Sequence, residues 1–273
     1  MKALIFAAGL GTRLQPYTQS IPKALVAVNG KPLLEHLLLK LKASGFTQVV
    51  INVHHFADKI ISFLDENSNF GLDIYISDER SLLLETGGGI KHAEALLNDN
   101  EPFLVHNVDI LSNLNLEEFY ESFLASSISV DTPLASIVLS DRLTQRYLVF
   151  DSSDNLVAWC NTSTGEIKSP FWELCRKPDI CNDNANKEVF NLDKFLLDNK
   201  LHKRAFSGIH VVSPAIFPLM QKWPSKFSII DFYLSIADKY NIRSYCRENF
   251  KMVDVGKPES LAQAELFCRE DNY

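Results

Sequence analysis

A mixed, mostly parallel α/β sheet flanked by helices is the fold class this chain predicts, on three observations. Apolar strand-like runs alternate with segments of helical periodicity over residues 1–110. Glycine, proline or polar turns punctuate the alternation. A two-glycine loop also begins where the first apolar run ends. Such alternation places helices on both faces of a sheet and ligands at the carboxyl ends of its strands.

The elements follow in order. The first strand is Lys2–Phe6, and Lys31-Pro32 opens a helical run over 33–41. Pro32 suits the first turn, where its missing N–H is not needed. Gly45 closes that helix, and the second strand spans Gln48–Val53. A helix over 57–67, a strand over 72–77 and a helix over 90–97 come next. A fourth strand from 102 ends near Asp109. Beyond it, 134–139 is a strand, and 147–150 and 156–159 flank a polar turn at 151–155 as a hairpin. Residues 160–203 are rich in Asn, Asp, Lys and Pro with weak periodicity, and read as an insertion, a lid or a mobile loop. Residues 205–212 and 242–246 are strand-like, and 229–239 and 261–268 are helical.

With 46% hydrophobic residues in 273, the chain can bury a sizeable core as one large α/β domain or one domain with an insertion. A net charge of -7 argues against nucleic acid or an anionic membrane as the main partner. Met1-Lys2 runs straight into the first strand, so no secretory leader is expected. No apolar run is long enough to span a bilayer. Five cysteines, with no Cys-x-x-Cys pair, predict neither a disulfide framework nor structural zinc but reduced thiols in a cytoplasm.

The richest segment is Ala7-Ala8-Gly9-Leu10-Gly11-Thr12-Arg13-Leu14, followed by Pro22-Lys23. Its glycines let backbone N–H groups approach an anion. Arg13 adds a planar fork and Lys23 a point charge, a combination suited to a polyphosphate. It is not a P-loop, because no Gly-x-x-x-x-Gly-Lys-Ser/Thr run exists. Nor is it a dinucleotide fingerprint: Leu14 stands where the third glycine belongs. The second strand also ends in His54-His55, without an acidic residue for a ribose.

The pattern from Ala7 to Lys23 closely resembles the signature of the sugar-1-phosphate nucleotidyltransferases, or nucleotide-sugar pyrophosphorylases. The resemblance implies a Rossmann-like nucleotide-diphospho-sugar transferase fold. It implies one domain over 1–273, with a nucleotide-binding half (1–110) and a sugar-binding half (111–273). Many members carry a C-terminal left-handed β-helix, for which this chain ends too early. The reaction implied is attack of a sugar 1-phosphate on the α-phosphate of a nucleoside triphosphate, releasing pyrophosphate. Two anions must meet, so charge must be neutralised and the attack aligned. Magnesium suits that task with one or two carboxylates.

Asp109, in Val108-Asp109, and Asp254, in Met252-Val253-Asp254-Val255-Gly256, resemble the family's metal-binding aspartates, so Mg2+ is the expected cofactor. Val108 stands where the family has glycine, and Met252 where it has tryptophan; a bulkier Val108 predicts a shifted ribose. Arg13, Lys23, Asp109 and Asp254 are the implied catalytic set. Ala8, Gly9, Gly11, Thr12 and Arg13 are implied to hold the nucleotide. Glu85-Thr86-Gly87-Gly88-Gly89, placed as a glycine loop just before a helix, looks like the base pocket of the uridylyl-transferring members. Gly88 is expected on the base, with Glu85 and Thr86 shaping the pocket. On the sugar side Gly208, in a strand resembling the family's Ala-Gly-Ile, is joined by Asn107 and Arg146. Arg142 and Lys168 are further phosphate candidates. His54-His55 cannot chelate one ion from a regular strand, and His106 is expected to pack or hydrogen-bond in the sheet.

The motifs favour UTP with N-acetylmuramate 1-phosphate in cell-wall recycling. GTP with mannose or heptose 1-phosphate, and CTP with phosphocholine, stay open. So does a regulator that senses a nucleotide sugar without making it, and so does assembly as a homo-oligomer.

Overall fold

In the computed structural model, which describes residues 1–127, 132–171 and 192–270, the described strands form a ten-stranded sheet and two small two-stranded pairs. The first part of the chain runs β1 (Lys2–Phe6), β2 (Ala27–Val28), β3 (Lys31–Pro32), α1 (Leu33–Ala43), β4 (Gln48–Val53), α2 (Ala57–Glu66) and β5 (Asp73–Asp78). It continues through α3 (Glu85–His92), α4 (Glu94–Leu97), β6 (Phe103–Asn107), β7 (Ile110–Ser112) and α5 (Leu116–Ser126). Then come β8 (Ala135–Ser140), β9 (Arg146–Phe150), β10 (Leu156–Asn161), β11 (Glu166–Lys168) and α6 (Leu192–Asp198). The chain goes on with β12 (His202–Val212), α7 (Ile216–Met220), α8 (Ile229–Ile236), β13 (Ile242–Tyr245), β14 (Met252–Asp254) and α9 (Pro258–Glu270).

The main path of the sheet is β11-β10-β9-β12-β6-β1-β4-β5, with β8 and β13 branching from β12. β4 and β5 build outward from one side of β1 in parallel, and β6 pairs parallel on the other side. The order therefore reverses between β1 and β6. A crevice opens there beyond the carboxyl ends of the strands, where α/β sheets bind their ligands.

Alternation along these strands feeds two cores. Ala3, Ile5, Val49, Ile51 and Leu104 face one side, against Leu34, Leu38 and Leu41 of α1 and Phe119 and Phe123 of α5. Leu4, Val50, Phe103 and Val105 face the other, against Ile90 of α3, Phe217 of α7 and Phe232 and Tyr233 of α8. Helix α1 has no side-chain cap at Pro32. Its stability therefore rests on buried leucines, each contributing about 1.5–3 kcal/mol. A smaller cluster joins Leu14, Val26, Val28 and Leu33 to Leu111, Val255 and, from α9, Ala264 and Phe267. It props the loop after β1 against the end of the chain.

The predicted alternation over 1–110, the 147–159 hairpin and the later strands are all present. Three expectations change. The helix placed over 90–97 begins at Glu85 and includes all three glycines, so they form no loop. In place of a weakly periodic segment over 160–203, the described flanks hold β11 and α6, while 172–191 lies outside the described residues. His54 and His55 follow β4 rather than lying on it, and the His54 ring donates from Nδ1 to the Glu79 carbonyl at 2.6 Å. Helix α5 and strand β7 had no sequence counterpart. Among the described residues no helix is long and apolar enough to cross a membrane.

Glycine in α3 is a packing requirement. A Cβ on Gly87 would lie 2.4 Å from the Phe227 ring, and one on Gly88 would lie 2.1 Å from the Ser225 carbonyl oxygen. Both N–H groups donate to the Phe227 carbonyl, at 2.9 and 3.2 Å. Gly88→Ala should therefore lower the melting temperature by several degrees, an overpacking cost of about 1–3 kcal/mol. Gly9→Ala, which meets nothing within 4 Å, should leave it almost unchanged.

His106 and His210 sit fully buried on β6 and β12. His106 donates from Nδ1 to its neighbour's carbonyl, Asn107 O, at 2.8 Å, and His210 shares a hydrogen bond with the Tyr233 hydroxyl. Desolvation lowers both imidazoles from 6.5 to about 3; the Asn107 bond opposes this for His106, and the charge of Lys40 adds to it. The unfolded chain then binds protons near 6.5 that the folded chain refuses until about 3. Stability should fall as pH drops through that window, by at most about 1.4 kcal/mol per pH unit for each histidine. Thermal melts at stepped pH check this: His210→Gln should lessen the slope.

Candidate active site

The loop leaving β1 is shaped by its own hydrogen bonds. Ala7 and Ala8 donate their N–H groups to Asn52 Oδ1 at 2.7 and 3.1 Å. The N–H groups of Gly9 and Leu10 make no hydrogen bond to the described chain. They remain available to an anion. Gly11 takes φ 66, and a Cβ there would lie 2.9 Å from Thr18 Cγ2. Of the two loop glycines it is Gly11 that needs the left-handed region. A tight turn over Thr12–Leu14 buries Leu14 completely and leaves Arg13 exposed. Pro22 then starts the turn that carries Lys23, whose ammonium donates to the Asp109 carboxylate.

Asp254 comes to the same place from the far end of the sequence. Strands β7 and β14 pair antiparallel with Asp254 opposite Ile110, and Val255 N–H donates to the Asp109 carbonyl at 2.9 Å. Asp254 Oδ2 accepts from Arg142 Nη1 at 3.0 Å, while its buried Oδ1 has no hydrogen-bond partner among the described residues. Gly256 keeps this corner open: a Cβ there would lie 2.9 Å from Asp254 Oδ1 and 3.3 Å from Arg13 Nη2. Two carboxylates, Asp109 in the turn between β6 and β7 and Asp254 at the end of β14, one with an orphaned buried oxygen, are a donor set that suits a divalent cation. Magnesium in particular uses few protein carboxylates and leaves its other positions to water and phosphate.

A cavity of about 420 Å³ occupies the β1–β6 crevice, within the usual range for a small-molecule site. One wall is the loop from Ala7 to Arg13 with Lys23. The rest of the lining is Phe6, Asn107, Val108, Asp109 and Gly256, together with Asn52 and Glu79 beside the loop and Leu83, Glu85 and Thr86 around the start of α3. Val108 is 4% exposed, keeps a φ outside the positive region and donates its N–H to Phe6 O at 3.1 Å. Valine fits that backbone and is among the residues that line the cavity.

Glu85 holds φ 61, a conformation sparsely populated outside glycine, and lies 3.9 Å from Lys226. The Thr86 hydroxyl accepts from Ile229 N–H at 3.0 Å, tying α3 to the start of α8. Gly208 has φ 85 at a bulge in β12, and a Cβ there would lie 2.6 Å from Asn107 Nδ2. The two sugar-side candidates Gly208 and Asn107 are therefore packed together.

Other candidates fall elsewhere. Gly88 is absent from the cavity lining, because its helix packs on residues 225–227. Arg146 is exposed at the start of β9 and lines no part of the cavity. Lys168 pairs with Asp231 at 3.3 Å and lies over the Trp159 ring. Arg142, by contrast, reaches both Asp254 and the Phe206 carbonyl. Sequence reasoning missed Asn52 and Glu79, although a lone polar residue in Val-Val-Ile-Asn-Val was a usable signal.

Comparison with known proteins agrees with this geometry. A family model described as nucleotidyl transferase matches residues 2–155. An N-acetylmuramate alpha-1-phosphate uridylyltransferase of Caulobacter vibrioides is 51% identical over 193 residues, covering 67% of this chain and 78% of that protein. A protein of the same name from Neisseria meningitidis serogroup B is 42% identical over 128 residues, covering 47% of this chain and 54% of that one. Among solved structures, HddC from Yersinia pseudotuberculosis complexed with GMP-PN superposes with a TM-score of 0.67 at 22% identity, covering 97% of this chain and 98% of that one. On the strength of its loop, its sheet order and this match over more than half of its length, the chain belongs to the nucleotidyl transferase family, among the sugar-1-phosphate nucleotidyltransferases.

Proposed function

We propose that this enzyme transfers a uridylyl group from UTP to N-acetylmuramate 1-phosphate, forming the UDP-sugar and pyrophosphate. The reading is carried by one observation: Arg13, Lys23 and Asp109 line a single cavity at the β1–β6 crevice, and Asp254 stands just behind its edge at Gly256. The choice of substrates follows the names of the relatives at 51% and 42% identity and the Glu-Thr-Gly-Gly-Gly run that begins at Glu85. The cavity lining comes from the 1–110 half except for Gly256, behind which Asp254 and Arg142 of the 111–273 half are paired.

In this reading a phosphate oxygen of the sugar 1-phosphate attacks the α-phosphorus, and the bond from that phosphorus to the β-phosphate oxygen breaks. The electron pair leaves on pyrophosphate. No nucleophilic side chain is needed, since the acceptor brings its own nucleophile. The N–H groups of Gly9 and Leu10, on a backbone set by Ala8, Gly11 and Thr12, meet the triphosphate. Arg13 and Lys23 neutralise it, Lys23 exchanging Asp109 for a phosphate oxygen as the nucleotide enters. Asp109 and Asp254 would hold Mg2+, which when bound supplies charge neutralisation at the phosphate oxygens. Glu85 and Thr86 form the base-side wall, and Asn107 and Gly208 face the sugar. The fitting place for such an enzyme is the cytoplasm, in reuse of cell-wall sugars.

Pyrophosphate release across UTP, GTP, CTP, dTTP and ATP, each with a panel of sugar 1-phosphates, tests this reading. Turnover should appear with UTP and N-acetylmuramate 1-phosphate. Turnover with GTP and mannose 1-phosphate, or with CTP and phosphocholine, would reassign the substrates. Nucleotide binding without turnover would make the protein a sensing subunit.

Asp109→Asn and Asp254→Asn should each lower kcat by at least about a hundredfold while the circular dichroism spectrum is unchanged. Chelation should abolish turnover and added Mg2+ restore it. Mn2+ binding followed by electron paramagnetic resonance should weaken in Asp254→Asn.

A further inference from the structure

We propose that Asn52 and Glu79 are positioning residues that lock the nucleotide-binding loop in shape and couple it to the base-side wall of the cavity. The inference rests on the reading of that cavity as a nucleotide site, and concerns two residues with no part in the motif. Both are buried, at 2% and 1% exposure, yet both line the cavity.

The relay crosses the carboxyl ends of three parallel strands. Asn52 lies on β4 directly beside Phe6, the last residue of β1. Its Oδ1 accepts from Ala7 and Ala8 N–H, and its Nδ2 donates to Glu79 Oε1 at 2.9 Å. Glu79 follows β5, and its other oxygen accepts from Leu84 N–H at 3.2 Å, one residue before α3. The chain of contacts thus runs from the loop at Ala7-Ala8 to the residues that carry Glu85 and Thr86. Two donors on one side and a carboxylate on the other leave the amide a single satisfied orientation. The surroundings are cut to admit it: a Cβ on Gly89 would lie 3.0 Å from Glu79 Oε1 and 3.4 Å from Asn52 Nδ2.

The functional consequence follows from which donors are used. By taking the N–H groups of Ala7 and Ala8, Asn52 fixes the direction in which the next two, Gly9 and Leu10, point. A loop free to rotate must be ordered by the triphosphate itself, which weakens binding. Losing Asn52 also strands two buried N–H groups, each a costly orphan. The effect belongs to the nucleotide, because no contact of the relay reaches Asn107, Gly208 or Arg142.

The test measures UTP and GTP binding by calorimetry with Mg2+ and no acceptor, alongside the KM for sugar 1-phosphate and the melting temperature. Asn52→Ala should weaken nucleotide binding about tenfold or more, with the sugar 1-phosphate KM little changed. Asn52→Asp sets a carboxylate against that of Glu79 and should weaken it comparably. Adding Glu79→Gln to Asn52→Asp rebuilds every donor–acceptor pair with the polarity of the Asn52–Glu79 bond reversed, and should restore most of the affinity. The proposal is overturned if folded Asn52→Ala binds nucleotide like wild type, or if the loss falls equally on the sugar phosphate. It is also overturned if the double variant is no better than Asn52→Asp, and that comparison decides the matter should Asn52→Ala not fold. Wild-type protein that binds neither nucleotide would overturn the nucleotide-site reading together with the relay.

Discussion

The ion pair between Lys23 and Asp109 is the contact on which the rest of the site depends. Lys23 is 8% exposed, and an ammonium so buried is expensive without a charged partner. Asp109 satisfies it, and the pairing fixes the turn after Pro22 against the end of β6. It also closes one side of the cavity between β1 and β6. A second cation–carboxylate pair, Arg142 with Asp254, repeats the arrangement from the other half of the chain. Both carboxylates that suit a metal are therefore held in place by cations that suit phosphates. Each carboxylate thus has a cation beside it, and the charges of this corner are balanced locally.

The positions of those charges are maintained by apolar packing some distance from the chemistry. Leu14 is fully buried among Val26, Val28, Leu33 and residues of α9, so the loop bearing Arg13 is anchored on the last helix. Val255, next to Asp254, lies in the same cluster. The loop and the β14 strand thus share one small core, and a change in α9 is felt at both. The two large cores covering the faces of the sheet fix the spacing between β1 and β6, hence the width of the crevice.

The glycines of α3 and the departure at Val108 show how the same residue types serve different ends. Three glycines in a row look like an exposed loop when only local chemistry is considered, because glycine is a poor helix former. Here tertiary contact overrides propensity: the helix needs them to approach Phe227, Ser225 and Glu79. Valine before Asp109 looks like an obstacle at a position where the motif resemblance implies glycine. Its backbone is ordinary, and the cavity remains open above it.

The sequence by itself determined the alternating α/β order, the glycine turn from Ala7 to Lys23 as a candidate phosphate loop, and the two aspartates as separate candidates. These are legible because hydrophobic period, glycine conformation and charge act over a few residues. Only the tertiary structure decided that Asp254 lies beside Asp109, through the register of β14 on β7. It likewise decided that Arg142, not Arg146 or Lys168, reaches that corner, that Gly88 serves packing, and that Asn52 and Glu79 span the cavity. Each of those outcomes depends on strand register or helix approach between segments far apart in the chain. No local pattern encodes such distances; they are set by how the buried faces pack.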